Sequence, residues 1–297
     1  MNKIITFVLM LALTVLFIWL GDLIYGRQGM MIAFALVAVM NLVSYWFSDK
    51  IVLAMYGAKQ VKEGDLPELS GIVGNLARRA QIPMPKLYVI ENSMPNAFAT
   101  GRDPAHAAVA VTTGILQILE PKEIEGVIAH ELSHVTNRDI LISSIVATLA
   151  GAIFMISRMM SYAAIFGGLG GGREDDNRGG VIGMLVGIIV APIAATIIQL
   201  AISRSREYMA DASGAQLSGN PLGLAHALRK LDTSAHVRPV EANQINPATA
   251  HMFIVNPLSG RSLMNLFSTH PPIEERIKRL EKMAVENSGL KIPKIIY

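Results

Sequence analysis

The segment His130-Glu131-Leu132-Ser133-His134 constrains this chain more than any other stretch of its sequence. Residues four apart lie on one face of a helix, so His130 and His134 can bind a single metal ion together. Glu131 directly follows the first histidine, where its carboxylate can take a proton from a metal-bound water. A long apolar stretch then begins at Ile140, six residues after His134. The pattern predicts a zinc-protease helix that leads almost directly into a membrane segment.

The residues around this motif predict that it lies on a helix. Pro121 suits a first helical turn, and Glu123 and Glu125 favour the positive end of a helix. Apolar residues recur at helical spacing, which indicates a buried face. A core helix with two incidental histidines is the alternative. The apolar residues are Ile124, Val127, Ile128, Leu132 and Val135.

A third protein ligand is expected, because catalytic zinc sites usually hold three side chains and one water. The chain has no cysteine, so this ligand must be a histidine, an aspartate or a glutamate. The best candidate is Glu207, which lies four residues before Asp211 in a charged stretch that is typical of a helix. One carboxylate can then bind the metal while the other accepts the free N–H of a ligand histidine. The alternative is a solvated charged turn that follows an apolar segment.

Several motifs together resemble those of a known family. The HELSH segment is followed some seventy residues later by Arg206-Glu207-Tyr208-Met209-Ala210-Asp211, with apolar segments on both sides. This arrangement resembles the HtpX family of membrane-bound zinc metalloproteases, which are relatives of the CAAX prenyl proteases and, more distantly, of the soluble gluzincins. The resemblance covers essentially the whole chain and includes residues 95–101, 111–114 and 268–272.

The resemblance implies a role for each matching residue. One zinc ion per chain would be bound by two histidines and a glutamate, with a second glutamate as general base. A further histidine would help to hold the reacting carbonyl, and an aspartate and an arginine would lie behind the ligands. The matching residues are His130, His134 and Glu207 for the metal, Glu131 for the base, His270 for the carbonyl, and Asp211 and Arg276 behind the ligands.

The composition favours a membrane enzyme. Apolar residues make up 52% of the 297 residues and charged residues only 16%, and the mean hydropathy of +0.41 is too high for an ordinary soluble domain. The net charge of +3 is small and forms no basic stripe interleaved with aromatic residues, so no nucleic acid is expected as a partner. The absence of cysteine excludes disulfides and thiolate metal ligands.

Four segments are apolar, and their lengths are near or above the roughly 17 residues that a helix needs to cross a bilayer core. For the second pair, the alternative is a buried apolar hairpin inside the protease domain. Lysines and arginines lie mostly at one side of the spans, so both termini and the metal site are expected in the cytoplasm, with the chain in the inner (plasma) membrane. The segments are residues 4–20, 30–47, 140–157 and 181–202.

The sequence divides into four parts on this basis. Residues 1–50 form a transmembrane hairpin, and residues 51–139 form the core that contains the metal helix. Residues 140–203 form a second hairpin with a glycine-rich loop at 167–180, and residues 204–297 are a helical part that supplies the third ligand. The expected fold class is an α-helical integral membrane protein with an α+β zincin protease domain of the minigluzincin type.

The elements of the protease domain follow from turn residues and apolar spacing. Strands are predicted at 86–90 and 106–111, with an extended piece at 97–99 between them. An exposed strand beside the metal helix could bind an extended peptide by backbone pairing, which assigns substrate binding to Asn96, Ala97, Phe98 and Ala99. Helices are predicted at 65–81, 113–119, 222–231 and 273–285.

The predicted function is that of a zinc metalloendopeptidase that hydrolyses misfolded or damaged membrane proteins in quality control or a stress response. Polypeptides and membrane lipid would be its partners, and self-cleavage is expected. Two alternatives are a processing protease of narrow specificity, of the prenyl-peptide type, and a non-enzymatic membrane scaffold or transporter with a structural metal. Glu131 argues against a scaffold, because metal binding alone does not need it.

Overall fold

Within the described part of the chain, helices pack around one four-stranded sheet. The glycine-rich loop at 167–180, the apolar segment at 181–202 and His270 lie outside that part. The computed structural model describes residues 2–149, 204–237, 252–254 and 271–287.

The first helix, α1 (Asn2–Met55), changes direction in its middle. Its helical backbone breaks at Tyr25 and Gly26, and Gly26 has a φ of 57°, a left-handed conformation that glycine adopts without strain. Beyond the break, the Asn41 amide donates a hydrogen bond of 2.9 Å to the Thr14 hydroxyl. The two arms of α1 therefore fold back against each other.

The second arm of α1 has the length and composition of a membrane span. An 18-residue stretch of the helix Tyr25–Met55 has a mean hydropathy of 1.9, and only 11% of this stretch is buried. The first arm contains the shorter apolar stretch Met10–Trp19, which lies within the predicted span at 4–20. Among the described residues, Tyr25–Met55 is the one helix long and apolar enough to cross a membrane.

The sheet has the strand order β1-β2-β4-β3, so β3 lies at one edge. Strand β2 is parallel to β4, and the other two pairs are antiparallel. The bounds of β2 agree with the strand predicted at 86–90. The strands are β1 (Lys59–Gln60), β2 (Lys86–Ile90), β3 (Ala97–Thr100) and β4 (Ala108–Thr112).

The strand predicted at 106–111 starts too early, because its first residue belongs to a capped turn. His106 ends a short 3-10 helix, Pro104–His106. The Asp103 carboxylate accepts a hydrogen bond of 3.0 Å from the backbone N–H of His106 and also contacts the His106 ring at 2.8 Å. These contacts hold His106 in the turn, so β4 begins only at Ala108.

Helix α4 (Pro121–Thr136) contains the histidine motif and begins with a capping box. The backbone N–H of Glu120 donates a hydrogen bond of 2.8 Å to the Glu123 carboxylate, which also contacts Lys230. Ile128 and Leu132 are fully buried, as the helical spacing predicts. The other helices described are α2 (Pro67–Arg79), α3 (Thr113–Ile118), α5 (Ile140–Leu149), α6 (Arg204–Ser218), α7 (Pro221–Val237) and α8 (Ile273–Asn287).

The close packing of α6 on α4 positions the candidate site. Both α6 and α7 contact α4, which also lies against β3 and α2. At Gly214 of α6, an added Cβ would lie 2.8 Å from the backbone nitrogen of His130, which is closer than a side chain can approach. Glycine at this position therefore allows the two helices to approach each other beside the first histidine.

Helix α5 packs inside the fold as far as it is described. Its Ser144 hydroxyl lies 2.7 Å from the Thr100 hydroxyl and accepts a hydrogen bond of 3.3 Å from the Gly101 N–H, which joins α5 to the end of β3. The described part of the segment at 140–157 is therefore packed as a core helix, in line with the alternative considered above. Its largest fully buried apolar side chains are Ile140, Ile142, Ile145 and Leu149.

Candidate metal centre

The structure brings together the three side chains predicted as metal ligands. The Nε2 atoms of His130 and His134 lie 3.3 Å apart on α4. The Oε2 atom of Glu207 on α6 lies 3.6 Å from Nε2 of His130, and its Oε1 atom lies 3.6 Å from Nε2 of His134. Atoms bound to one tetrahedral zinc at its usual bond lengths lie about 3.3–3.5 Å from each other, so these distances are of the size that a metal site needs. Within the described ranges, it is the group of histidine and acidic side chains suited to hold a metal ion.

Asp211 and Arg276 lie behind the first histidine, where they were predicted. Oδ1 of Asp211 is 3.0 Å from Nδ1 of His130. The Arg276 guanidinium donates two hydrogen bonds to the same carboxylate, of 2.9 Å from Nε and 2.7 Å from Nη2. Both side chains are buried, so the pair fixes the orientation of the His130 ring and leaves its Nε2 for the metal.

The charges around the ligands favour a cation at this position. Burial disfavours the protonated form of His130, but the contacts with Asp211 and Glu207 outweigh it and raise the pKa of His130 to about 9. Burial likewise opposes the ionised form of Asp211, but the positive charge of Arg276 and the contact with His130 lower its pKa to about 2. An ionised carboxylate therefore stabilises positive charge in the site, as the binding of a divalent metal ion requires.

Asp139 supports the second histidine in a similar way and was not predicted from the sequence. Its Oδ2 atom lies 3.5 Å from Nδ1 of His134, and it is buried. Arg138, which follows the end of α4, has a φ of 60°, and this left-handed turn precedes Asp139. The available signal was an acidic residue just beyond the end of the motif helix.

Glu131 lies beside the three ligands without being one of them. Its Oε2 accepts a hydrogen bond of 2.9 Å from the backbone N–H of Ala99 in β3. Burial raises the pKa of the Glu131 carboxyl, although the neighbouring charges of His130 and His134 act in the opposite direction. A buried carboxyl with a raised pKa next to a metal position is suited to take and release a proton.

Asn96 has a structural contact that the substrate-binding prediction did not include. Its Oδ1 accepts a hydrogen bond of 3.2 Å from the Ile254 N–H, while Arg276 donates a bond of 3.1 Å to the Ile254 carbonyl. Strand β3 is an edge strand, but all of its residues are buried, and the Ala99 N–H is already bonded to Glu131. The strand is therefore not the exposed edge that the sequence predicted.

A cleft opens beside the ligands, between β3, the start of α5 and the short segment 252–254. Two parts of its wall were not predicted as site residues: Arg206, which directly precedes Glu207, and the segment 252–254, which no motif marks. His270 lies outside the described residues. The lining residues are Phe98, Ala99, His130, Glu131, His134, Asp139, Ile140, Ser143, Arg206, Glu207, Met252, Phe253 and Ile254.

Comparisons with known proteins show to which family the chain is similar. Residues 63–284 match the family model described as Peptidase family M48. A protein named Protease HtpX homolog from Syntrophobacter fumaroxidans is 59% identical over 278 residues, which cover 94% of this chain and 98% of that protein. Another protein of that name, from Pyrococcus abyssi, is 54% identical over 283 residues, which cover 95% of this chain and 96% of that protein.

A solved structure is also similar. The crystal structure of S. mikatae Ste24p matches with 20% sequence identity and a TM-score of 0.49 over 92% of this chain. The chain spans 62% of the length of that protein.

The match to the family model includes the whole of α4 and α6, and thus both histidines, Glu131 and Glu207. The relatives are matched over nearly their full length, so the comparison extends beyond the motif to the entire chain. The prediction of a metalloprotease is confirmed, and the exposed apolar helix Tyr25–Met55 supports a membrane location. The chain belongs to peptidase family M48, within it to the HtpX-type proteases, and it is a metallopeptidase.

Proposed function

We propose that the chain is a membrane-integral zinc metalloendopeptidase, with His130, His134 and Glu207 as zinc ligands and Glu131 as general base. The observation that carries this proposal is the meeting of the two histidine nitrogens, 3.3 Å apart, with the Glu207 carboxylate, whose oxygens each lie 3.6 Å from one of them, while Glu131 is held beside the group. Two imidazoles and one carboxylate are a ligand set used by catalytic zinc sites, which keep a fourth position for water. The donor types therefore favour zinc over magnesium or calcium, which prefer oxygen ligands.

The proposed mechanism is hydrolysis of an amide bond. Bound zinc would supply the Lewis acid that polarises the scissile carbonyl and lowers the pKa of a water toward about 7. Glu131 would take a proton from the attacking water and deliver it to the leaving amine. The Ala99 N–H holds one oxygen of its carboxylate and leaves the other to accept the proton. His270 is proposed to help hold the reacting carbonyl, as the family resemblance implies.

The architecture around α4 supports a zincin-type core of the minigluzincin class. The edge strand β3 lies against the metal helix, and the cleft runs between this strand and the segment 252–254. An extended peptide in the cleft would pass Phe98 and Ala99, the residues of β3 that line it. Its backbone would then be close to both the metal position and Glu131.

The membrane helix ends close to this cleft, and this position indicates which substrates can reach the site. Tyr56 directly follows α1, and its ring centroid lies 5.2 Å from that of Phe98. Phe98 itself lines the cleft. Since one side-chain contact separates the end of the membrane helix from the cleft, the site can receive polypeptide at the membrane surface. We therefore propose misfolded or damaged membrane proteins as substrates, in quality control at the inner membrane.

Cleavage of casein or of an unfolded membrane protein in detergent tests the chemistry. The wild type should cleave, a chelator should abolish cleavage, and added zinc should restore it. Glu131→Gln should keep one zinc per chain but lose cleavage, and it should also stop the self-cleavage expected of the wild type. Loss of zinc from the folded variant would show that Glu131 is a ligand, and full cleavage by the variant would refute its role as base.

The multi-pass topology, with the metal site and both termini in the cytoplasm, is tested separately. Arg138 and Arg204 are exposed and flank the two segments proposed as the second hairpin. A single cysteine in place of either can be labelled specifically, because the chain has no other cysteine. An impermeant thiol reagent should label both positions only after the cytoplasmic side is opened. Labelling from outside intact cells would overturn this orientation.

A further inference from the structure

Arg206 lines the same cleft as the metal ligands and Glu131, but none of the contacts described above involves it. Its Nη2 atom is buried and makes no hydrogen bond within the part of the chain that the structure describes. A buried donor on a charged group costs free energy when it has no partner, and buried polar groups in native proteins are seldom left without one. The arrangement indicates that the partner of Arg206 is a group outside the residues that the structure describes.

The position of Arg206 on α6 sets it beside the metal ligands rather than behind them. Arg206 precedes Glu207 directly, so their side chains leave the helix roughly 100° apart. Asp211 is four residues after Glu207 and shares its face, where it contacts His130 and Arg276. The Arg276 guanidinium is already bonded to Asp211 and to the Ile254 carbonyl. Arg206 is therefore the arginine on α6 that is available to a ligand in the cleft.

The acidic groups of the site already have other partners. Glu207 contacts both ligand histidines, and Glu131 accepts a hydrogen bond from the Ala99 N–H. Asp211 pairs with Arg276, and Asp139 contacts His134. In the residues that the structure describes, none of these carboxylates is within ion-pair distance of Arg206. The natural partner is then an oxygen atom of the substrate.

The remaining lining of the cleft indicates which kind of oxygen is bound. Much of this lining is apolar and includes Phe98, Met252, Phe253 and Ile254. Such a wall suits an apolar side chain of an extended peptide, whose backbone offers uncharged carbonyl oxygens at regular intervals. A guanidinium donates well to a carbonyl oxygen and fixes its direction.

We propose that Arg206 is a substrate-binding residue that donates a hydrogen bond to a backbone carbonyl oxygen of the peptide, next to the bond that is cleaved. This inference rests on the proposed endopeptidase function and adds to it a residue that positions the peptide. The substrate class it implies is an extended, internal peptide segment with an apolar side chain against the 252–254 wall.

The test compares variants of Arg206 with a matched variant of Arg204, which is exposed on the same helix and does not line the cleft. Arg206→Gln should lower kcat/KM on an internally quenched, C-terminally amidated peptide by about 10- to 100-fold, the loss expected for one hydrogen bond from a charged group. Zinc content should not change. Arg204→Gln removes the same charge from the same helix and should retain activity within about twofold, since it removes no cleft contact.

Two further measurements separate substrate binding from a structural role. Arg206→Ala should regain activity when guanidinium or methylguanidinium is added, but not when sodium chloride is added at equal ionic strength. In the Glu131→Gln background, Arg206→Gln should weaken binding of the same peptide, measured by fluorescence anisotropy, by a similar factor. Arg206→Lys keeps the charge without the planar donors and should fall between wild type and Arg206→Gln.

Three outcomes would contradict the inference in different ways. Unchanged peptide affinity and kcat/KM in Arg206→Gln, while chelator still abolishes cleavage, would overturn the role of Arg206 and leave the proposed function intact. Absence of cleavage by zinc-loaded wild type would overturn the proposed function, and the anisotropy measurement would still decide the role of Arg206. A loss confined to peptides with a free carboxylate one residue beyond the cleaved bond would assign Arg206 to that carboxylate instead of a carbonyl.

Discussion

Replacing Arg276 with methionine should destabilise the protein strongly, because this arginine joins three segments inside the fold. Its guanidinium makes two hydrogen bonds to Asp211 on α6 and one to the Ile254 carbonyl, from its own position on α8. Arg276 is fully buried and Asp211 is 3% exposed. Arg276→Met would leave a buried carboxylate without its cation and a buried carbonyl without its donor.

The size of the effect follows from this burial. Removing one partner of a buried ion pair costs about 3–5 kcal/mol, because the remaining charge stays out of water without compensation. For a domain of roughly 150–250 residues, each kcal/mol lowers Tm by about 2–4 °C, so the expected fall is about 6–20 °C. Arg276→Lys keeps the charge but cannot make the two parallel bonds to Asp211, and its fall should be smaller.

Thermal unfolding in detergent measures this change, with Glu131→Gln as background so that self-cleavage does not contribute. The matched control is Arg279→Met on the same helix. Arg279 is 53% exposed and bonds Glu275 at 2.9 Å, and an exposed pair of this kind contributes little to stability because water screens it. The reasoning is refuted if Arg276→Met unfolds within about 2 °C of Arg279→Met, since burial would then not determine the cost.

Two further predictions concern the assembly of the metal site. Glu207→Ala should release zinc, whereas Asp211→Asn should keep the ligand set and weaken zinc affinity by about 10- to 100-fold, measured by competition with a chelating dye. Zinc retained at full affinity by Glu207→Ala would show that another group is the third ligand. Gly214→Val should also weaken zinc binding, because its side chain would force α6 away from the His130 backbone. Gly71→Ala, whose added methyl would meet nothing within 4 Å on α2, is the control and should leave zinc affinity unchanged.

The sequence by itself determined the features that depend on local spacing. Two histidines four residues apart on an amphipathic helix predict a shared metal, and the structure places their nitrogens 3.3 Å apart. The strand at 86–90 and the helices that begin near Pro67, Pro121 and Ile273 were predicted because turn residues and apolar periodicity act over only a few residues. The membrane helix Tyr25–Met55 follows in the same way from a continuous apolar run.

The tertiary structure decided which distant residues meet around these local elements. Glu207 lies 73 residues after His134 in the sequence, and the close contact of α6 with α4 at Gly214 brings it to the histidines. The same packing places Arg206 and the segment 252–254 in the cleft, makes Asn96 a support for Ile254, and encloses α5. A periodic pattern shows which side of a helix is buried but not which partner covers it. That choice depends on how all the elements pack together, which no local stretch of sequence contains.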